Sequence, residues 1–428
     1  MRRFIALIAF LIAAATAPAL AQTADTPPPQ TLLVGARILN QAGDGWIENN
    51  AVLVIGARLA AIGPAEKIKP KTKTTVIDLA GLSLVPGLID LHTHLLLHPY
   101  DEASWNDQVL SESLGLRTAR AVAQAKATLD AGFTTIRDLG TEGAGYADVG
   151  LRDAIQRHII PGPRMFVATR AIVASGAYGP AGFDPRWTMP KGAQIADGVA
   201  EIRKVVRQQI AAGADWVKVY ADYRRRPGDP STPTFSQAEL NALVDEAHAA
   251  GRPTSAHATT DEAIRRAVAA GIDTIEHGTF ATDQTLRLMK DRGVVLCPTL
   301  AASEAMATYS GWTPGAPEPA RIVEARQLMK RALRSGVTIA CGSDAGVFSH
   351  GDNAREIELM VDYGMSPQAA LASATSIAAN TIGRKKELGS IATGFIADLI
   401  AVEGDPLTDP GALRNVRMVL KAGVRVAP

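Results

Sequence analysis

The sequence predicts an α/β fold, a (β/α)8 TIM-like barrel with a small composite β-sandwich domain formed from both ends of the chain. Within residues 85–385, amphipathic helical segments that end in glycine alternate with short apolar segments of strand character. Residues 31–84 and 386–428 instead carry short strand-like runs separated by turn residues. Several apolar segments end in His, Lys or Asp, at the strand ends where barrel enzymes hold their chemistry.

Eight apolar segments account for the strands of the predicted barrel. They are LIDLHTH, FTTIRDLG, RMFVATRAIV, ADWVKVY, RPTSAHA, IDTIEHG, VVLCPTL and VTIACGSD. Repeated strand–helix units of this kind predict a parallel sheet with the helices outside it. An open doubly wound sheet is the alternative, but the glycine-rich fingerprint that accompanies it does not occur here.

The start of the chain has the pattern of a secretion signal. Two arginines follow the first methionine, an apolar run of about a dozen residues comes next, and Ala-Leu-Ala at 19–21 forms a cleavage site. The apolar run is too short to cross a bilayer as a helix, so an uncleaved anchor is the weaker alternative. We expect residues 1–21 to be removed, residues 22–30 to form a disordered linker, and the mature protein to be secreted or periplasmic without stable membrane insertion.

Composition excludes some partners. Basic and acidic residues nearly balance, with a formal net charge of +1, which gives no indication of nucleic acid or an acidic membrane surface. Aromatic residues make up only 5% of the chain, so a base-stacking surface is not expected. The two cysteines, Cys297 and Cys341, lie in apolar segments and are expected to be buried free thiols, with a disulfide as the alternative.

Four histidines have the positions of metal ligands. His92 and His94 in LIDLHTH share one side of an extended strand, because side chains alternate with a period of two. Asp90 points to the same side and is expected to orient a ligating ring. His257 in TSAHA and His277 in TIEHG end consecutive strands, so their rings should be neighbours at the barrel rim.

Lys218 lies in the middle of DWVKVY, an apolar segment that should be a buried strand. Burial of an unpaired ammonium group is costly and lowers its pKa. A neutral lysine amine can react with carbon dioxide to form a carbamate, whose two oxygens could bridge two metal ions. The alternative is an ammonium group paired with a carboxylate at the barrel mouth. The other ligand types in the chain favour the carbamate.

Asp344 follows the last apolar strand, in ACGSDAG, where a carboxylate can contact a metal and accept a proton from the attacking water. A helix cap or turn residue is the alternative. Four histidines, one carbamate and one aspartate suit two divalent ions, most simply Zn²⁺. We expect a metal-bridging hydroxide to attack an amide or ester carbonyl, while Asp344 takes the proton and passes it to the leaving group.

These motifs together resemble the amidohydrolase superfamily. PGLIDLHTH, the strand lysine, SAHA, IEHG, GSDAG and the closing GSIATGFIADLIAVEGDPL occur in order over residues 31–428. The branch resembled contains imidazolonepropionase-like enzymes, secreted prolidase-like dipeptidases and ochratoxin-hydrolysing amidohydrolases. The resemblance implies a barrel with a β-sandwich-like companion, a carboxylated Lys218, the ligand set named above, and a homo-oligomer, for which an octamer is one candidate.

The chain departs from this branch after the third strand. Dipeptidase-like members usually carry a histidine in a glycine-rich loop, whereas SGAYG at 175–179 places Tyr178 there. Its phenol could donate a hydrogen bond to the substrate. Tyr220, Tyr223, Leu96 and His350 are further candidates for substrate contact.

The predicted function is hydrolysis of the amide bond of N-acyl amino acids or dipeptides, with ochratoxin A as one candidate substrate. A cyclic amide or imidazolone hydrolase, or a deaminase, is a second hypothesis, which export disfavours. A catalytically inactive binding protein on the same fold is a third, and the loss of a ligand residue would have favoured it.

Overall fold

The computed structural model describes residues 28–70, 73–184, 186–226 and 228–427. The predicted signal peptide and most of the predicted linker lie outside the described residues. Within the described ranges, no helix combines the length and the apolar character needed to cross a bilayer.

Short strands dominate both ends of the chain, and strands alternate with helices between them. The strands are Gln30–Val34 (β1), Arg37–Leu39 (β2), Trp46–Ile47 (β3), Asn50–Ile55 (β4), Arg58–Pro64 (β5), Thr74–Asp78 (β6), Leu82–Pro86 (β7), Leu88–Thr93 (β8), Phe133–Asp138 (β9), Arg164–Val167 (β10), Ile172–Val173 (β11), Gln194–Ile195 (β12), Val217–Tyr220 (β13), Asp222–Arg224 (β14), Ser231–Pro233 (β15), Thr254–Ala258 (β16), Thr274–His277 (β17), Val295–Cys297 (β18), Leu399–Glu403 (β19), Val416–Lys421 (β20) and Val424–Ala427 (β21).

The α-helices are Trp105–Leu110 (α1), Leu114–Asp130 (α2), Ala147–Gln156 (α3), Gly198–Ala211 (α4), Gln237–Ala249 (α5), Asp261–Ala270 (α6), Asp283–Arg292 (α7), Leu300–Tyr309 (α8), Ala320–Ser335 (α9), Ala354–Asp362 (α10), Pro367–Ser373 (α11) and Ser376–Thr381 (α12). Two short 3₁₀ helices span Ala65–Lys67 and Pro410–Arg414. Several helices end as the sequence predicts: α6, α7 and α9 each stop at a glycine with positive φ, because glycine adopts the left-handed conformation without steric cost.

A closed ring of parallel backbone pairing forms the barrel. Strands β8, β9 and β10 pair side by side, as do β13, β16, β17 and β18. The carbonyl of Val167 accepts from the amides of Asp215 and Trp216, at 2.8 and 3.2 Å, and joins the two groups. The segment 337–341 closes the ring. On one side, the Ala340 amide donates to the Leu296 carbonyl at 2.9 Å; on the other, the Leu91 amide donates to the Cys341 carbonyl at 2.9 Å.

Two of the predicted barrel strands differ in detail from the expectation. RMFVATRAIV is not one continuous strand, because Thr169 has a φ of +62° and divides it into β10 and β11. The last segment, VTIACGSD, forms no regular ladder: one isolated bridge lies within it at Ile339, and a second lies directly after it at Ala345. The predicted parallel barrel is nevertheless confirmed as the fold.

Strands from both ends of the chain share one β domain. A six-stranded sheet has the order β21-β20-β19-β7-β2-β3, and a four-stranded sheet has the order β5-β4-β1-β6. One apolar cluster joins Leu33, Val52 and Leu59 to Leu399 and Met418. Neither end could bury its strands alone, which explains why the domain is composite, as predicted.

The turn at Gly423, near the C-terminus, packs directly against the backbone of Gly56 in the N-terminal part of the β domain. Gly423 has a φ of +78°, and a Cβ atom there would lie 2.0 Å from the Gly56 carbonyl oxygen. Gly43 has a nearly equal φ of +79° but open space around it. We expect Gly43→Ala to cost about 1 kcal/mol from backbone strain alone, and Gly423→Ala to cost clearly more, since the turn at Gly56 must also move. Equal shifts of the two variants in thermal unfolding would contradict this contact.

Candidate active site

The barrel brings its ligand-type residues together at one mouth. Ring centroids of His92 and His94 lie 5.2 Å apart, and those of His92 and His277 lie 5.3 Å apart. The rings of His257 and His277 are 4.5 Å apart, as expected for the ends of neighbouring strands. The four predicted histidines therefore form one continuous group.

Asp344 completes the group from the last barrel segment. Its Oδ1 lies 3.2 Å from Nε2 of His94 and 3.5 Å from Nε2 of His92. Ligand atoms of these three residues all lie within 4.8 Å of one another, close enough for one metal ion to bind all three. Burial raises the pKa of Asp344, but the charges and hydrogen bond of His92 and His94 outweigh it and lower the pKa, so the group is a carboxylate at neutrality.

Lys218 is buried beside these rings, with 1% of its surface exposed. Its Nζ lies 5.7 Å from the centroid of the Tyr220 ring. Within the part of the chain that the structure describes, no carboxylate lies within ion-pair distance of its Nζ. Burial lowers its pKa to about 8, although the charges of Glu276 and Asp344 oppose this.

Hydrogen bonds orient three of the rings in the same way. In each ring Nδ1–H is the donor. His92 donates to Glu276 Oε2 at 2.9 Å, His94 to the Gly140 carbonyl at 2.9 Å, and His277 to Thr299 Oγ1 at 2.7 Å. Each bond leaves Nε2 free to bind a metal. His257 differs, because its Nε2 lies 3.7 Å from Asp222 Oδ1, which is beyond hydrogen-bond distance and does not fix the tautomer of the ring.

Glu276 anchors His92 from inside the barrel. Besides the His92 ring, this carboxylate accepts from Arg137 Nη2 at 2.8 Å, Ser255 Oγ at 2.8 Å and Thr274 Oγ1 at 2.6 Å. Arg137 and Glu276 are fully buried, and a buried charge persists only when it is paired and hydrogen-bonded. Sequence reasoning missed both residues; the signal was a pair of opposite charges within apolar strands.

Asp90 does not orient a ligand ring, contrary to the expectation. Its carboxylate accepts from the backbone amides of His92 and Ser343, both at 3.0 Å, and from Asn353 Nδ2 at 2.8 Å. It therefore ties the first barrel strand to the last segment. The reason is that the Asp90 side chain reaches the neighbouring backbone, whereas Glu276 reaches the ring.

Three residues of the candidate site have a strained backbone conformation. Asp344 has a φ of +64°, His277 of +69° and Thr299 of +52°. Left-handed conformations are unfavourable for residues with a Cβ and persist where the surroundings enforce them, often at functional sites. At Asp344 the enforcing contact is a hydrogen bond from its amide to the His92 carbonyl at 2.7 Å.

The three predicted tyrosines form a wall beside His257. Tyr220 stacks on the His257 ring at 4.4 Å, Tyr178 stacks on Tyr220 at 4.4 Å, and Tyr223 meets Tyr178 edge-on at 5.1 Å. The Tyr178 hydroxyl donates to the carboxylate of Glu142. Its proton is therefore already engaged, which weakens the expectation that this phenol donates to a substrate.

Two other candidates lie apart from this wall. Leu96 is 2% exposed and packs in a core cluster with Ala121, Ala125 and Ile136. His350 Nε2 bonds to the His94 carbonyl at 3.2 Å, and burial lowers its pKa to about 4. Neither contact places the side chain among the tyrosines, so a substrate role for Leu96 and His350 stays a prediction.

The cysteines behave as the composition indicated. Cys297 and Cys341 are both buried and free. Burial raises the pKa of each thiol well above its ordinary value, so neither is a ready nucleophile. The expectation of inert buried thiols is confirmed.

The contact between Glu276 and His92 predicts a change in metal affinity. Glu276→Gln removes the charge that holds the His92 ring, and we expect the affinity for a divalent ion to fall by about 10–100-fold in chelator competition. Ser255→Ala removes one bond to Glu276 but leaves the carboxylate in place, so its affinity should change much less. Unchanged affinity in a folded Glu276→Gln protein, verified by thermal unfolding, would contradict the assigned role.

The chain is similar in sequence and in fold to several known proteins. Ochratoxinase from Aspergillus niger is 32% identical over 404 residues, covering 86% of this chain and 80% of its own; its crystal structure superposes with a TM-score of 0.79 at 28% identity, covering 94% of this chain and 96% of that one. Imidazolonepropionase from Symbiobacterium thermophilum is 24% identical and covers 87% of this chain and 91% of its own. A crystal structure of a Xaa-Pro dipeptidase with bound methionine gives a TM-score of 0.82 at 30% identity, covering 92% of this chain and 99% of that one.

The family comparison confirms the resemblance inferred from the motifs. The model of the amidohydrolase family matches residues 83–426, which include the whole barrel and the returning C-terminal strands. The predictions of a barrel with an added β domain and of a hydrolase acting on amide bonds are confirmed. By sequence and by fold, this chain belongs to the amidohydrolase family.

Proposed function

We propose that this chain is an exported, dinuclear metal-dependent amidohydrolase that cleaves the amide bond between an acyl group or amino acid and a C-terminal amino acid. The observation that carries the proposal is the convergence of four histidines and one aspartate at a single barrel mouth, with Lys218 buried next to Tyr220, the ring that stacks on His257. An inactive binding protein on this fold would not need to keep every ligand-type residue, and none is replaced here.

The donor set fits divalent metal ions. Imidazole nitrogens and a carboxylate oxygen are ligands that Zn²⁺ accepts, and the ordered Nδ1–H bonds already hold three rings in one tautomer. His92, His94 and Asp344 would hold one ion; His257 and His277 would hold the other, with Lys218 between them. Two bound ions would supply an activated water and a polarised substrate carbonyl.

Asp344 is the residue best placed to move a proton. It is a carboxylate at neutrality, it lies within 3.5 Å of two ligand rings, and 8% of its surface is exposed at the mouth. It can accept a proton from the attacking water and deliver it to the leaving amine. The tyrosine wall beside His257 offers an apolar face for the substrate and keeps bulk water from that side.

The proposed substrates are acylated amino acids and dipeptides. Relatives named ochratoxinase and Xaa-Pro dipeptidase support this class, and ochratoxin A, an acyl-phenylalanine amide, is one candidate. A screen of such amides with the metal-loaded mature protein, reading which amino acid is released, tests the proposal. Release of ammonia instead would favour the second hypothesis, a deaminase, and release of nothing from any amide would overturn the proposal.

Lys218 is proposed to carry a carbamate. We expect protein incubated with isotopically labelled bicarbonate to show a carbamate signal by NMR, and Lys218→Ala to lose both the signal and bound metal. Lys421 is a matched control, because burial also lowers its pKa to about 8 but its Nζ bonds to the Gly162 carbonyl; Lys421→Ala should keep the signal. A carbamate that survives in Lys218→Ala would exclude this lysine as its carrier.

Replacement of Asp344 tests the proton transfer. Asp344→Asn keeps the size of the side chain but removes the base, and we expect turnover to fall about 10²–10⁴-fold. Metal content should be measured on the same sample, since this residue is also a proposed ligand. Full hydrolysis by the variant would contradict the role assigned here.

A further inference from the structure

A second carboxylate, Glu142, lies beside the tyrosine wall and outside the ligand set. It is 2% exposed and has a φ of +48°, the left-handed conformation that a residue with a side chain seldom adopts. Trp105 Nε1 donates to its Oε2 at 2.9 Å, and the Tyr178 hydroxyl donates to the same oxygen. The loop after β9 therefore holds this carboxylate in a strained, defined position.

The other oxygen of Glu142 has no hydrogen bond among the described residues. Its nearest ring nitrogen, His94 Nδ1, is 3.8 Å from Oε1 and donates to the Gly140 carbonyl instead. No lysine or arginine in the described ranges forms an ion pair with this carboxylate. Arg117 is near, but its guanidinium donates to the carbonyls of Leu96 and Thr141.

Only 2% of the Glu142 surface is exposed, and a charged group with so little access to water is costly unless it is paired. A cationic group of a ligand that reached Oε1 would give this oxygen a charged partner. The ring centroids of Trp105 and Tyr178, the two residues that donate to Glu142, lie 4.8 Å apart.

A chain of side-chain contacts connects Glu142 to His257. Glu142 bonds to Tyr178, Tyr178 stacks on Tyr220, and Tyr220 stacks on His257. The guanidinium of the exposed Arg224 lies 5.2 Å from the centroid of the Tyr223 ring. A negative group thus contacts Tyr178 and a positive group contacts Tyr223, and an unblocked dipeptide has one charged end of each sign.

We propose that Glu142 is a specificity-determining residue that binds the α-ammonium group of the substrate's N-terminal residue. The inference rests on the proposed function and narrows its substrate class: dipeptides with a free amino terminus are preferred over N-acylated amino acids. Glu142 would otherwise serve only to anchor Trp105 and Tyr178, and the two roles predict different kinetics.

Alanyl-phenylalanine and N-acetyl-alanyl-phenylalanine form a matched substrate pair for the test. We expect wild-type kcat/KM to be at least about tenfold higher for the free dipeptide, in line with one charge-assisted hydrogen bond. Glu142→Gln should lower kcat/KM for the free dipeptide about 10–100-fold and leave the acetylated one unchanged or raised. Equal losses for both substrates would assign Glu142 to anchoring alone, and equal wild-type values for both would overturn the proposal.

Two controls isolate the charge of Glu142. Tyr178→Phe removes the phenolic donor but keeps the ring and the carboxylate, so the preference for the free amine should persist. Glu403→Gln alters an exposed carboxylate that pairs with Arg417 on the β domain, and it should change neither substrate.

A binding measurement separates this inference from the proposed function. Leucinamide and N-acetyl-leucinamide should be titrated into the metal-loaded wild type and Glu142→Gln, whose folding is verified by thermal unfolding. Tighter binding of leucinamide to the wild type alone supports the ammonium site even if no amide is hydrolysed, which would count against the proposed function only. Equal binding of both ligands by the wild type would overturn the ammonium site even if amides are hydrolysed.

Discussion

The buried ion pair between Arg137 and Glu276 connects the barrel interior to the candidate metal centre. Arg137 donates to Glu276 at 2.8 Å and to the Leu91 carbonyl at 2.6 Å, and its guanidinium lies 4.3 Å from the centroid of the Trp216 ring. Glu276 in turn holds the His92 ring. Because neither charge reaches water, each depends on the other, and the direction of the first ligand ring depends on both.

The ligand-type residues themselves could be predicted from the sequence. Each ends or interrupts a short apolar run, and the carboxyl ends of parallel strands meet at one edge of a barrel, so local pattern and topology together place them at one mouth. The same reasoning predicted that Tyr178, Tyr220 and Tyr223 line that mouth, and the structure brings the three rings together. The composite β domain followed from short strands at both ends of the chain.

The supporting contacts could not be predicted in the same way. Arg137, Glu276, Glu142 and Trp105 come from different strands and loops, and their pairing depends on distances across the barrel that no local pattern encodes. The role expected for Asp90 was wrong for this reason: correct alternation along a strand does not show whether a side chain meets a ring or a neighbouring backbone. The break of the third strand at Thr169 could not be predicted either, because no sequence pattern indicates a positive φ at a β-branched residue.

The central proposal is that six side chains from five separate segments of the barrel bind a pair of divalent ions. Crystals of metal-loaded protein, measured by anomalous scattering at the absorption edge of the metal, test this most directly. The account predicts two peaks about 3.5–4 Å apart, one beside His92, His94 and Asp344 and one beside His257 and His277, with density for a modified Lys218 between them. A single peak, or two peaks with an unmodified Lys218 that contacts neither, would contradict it.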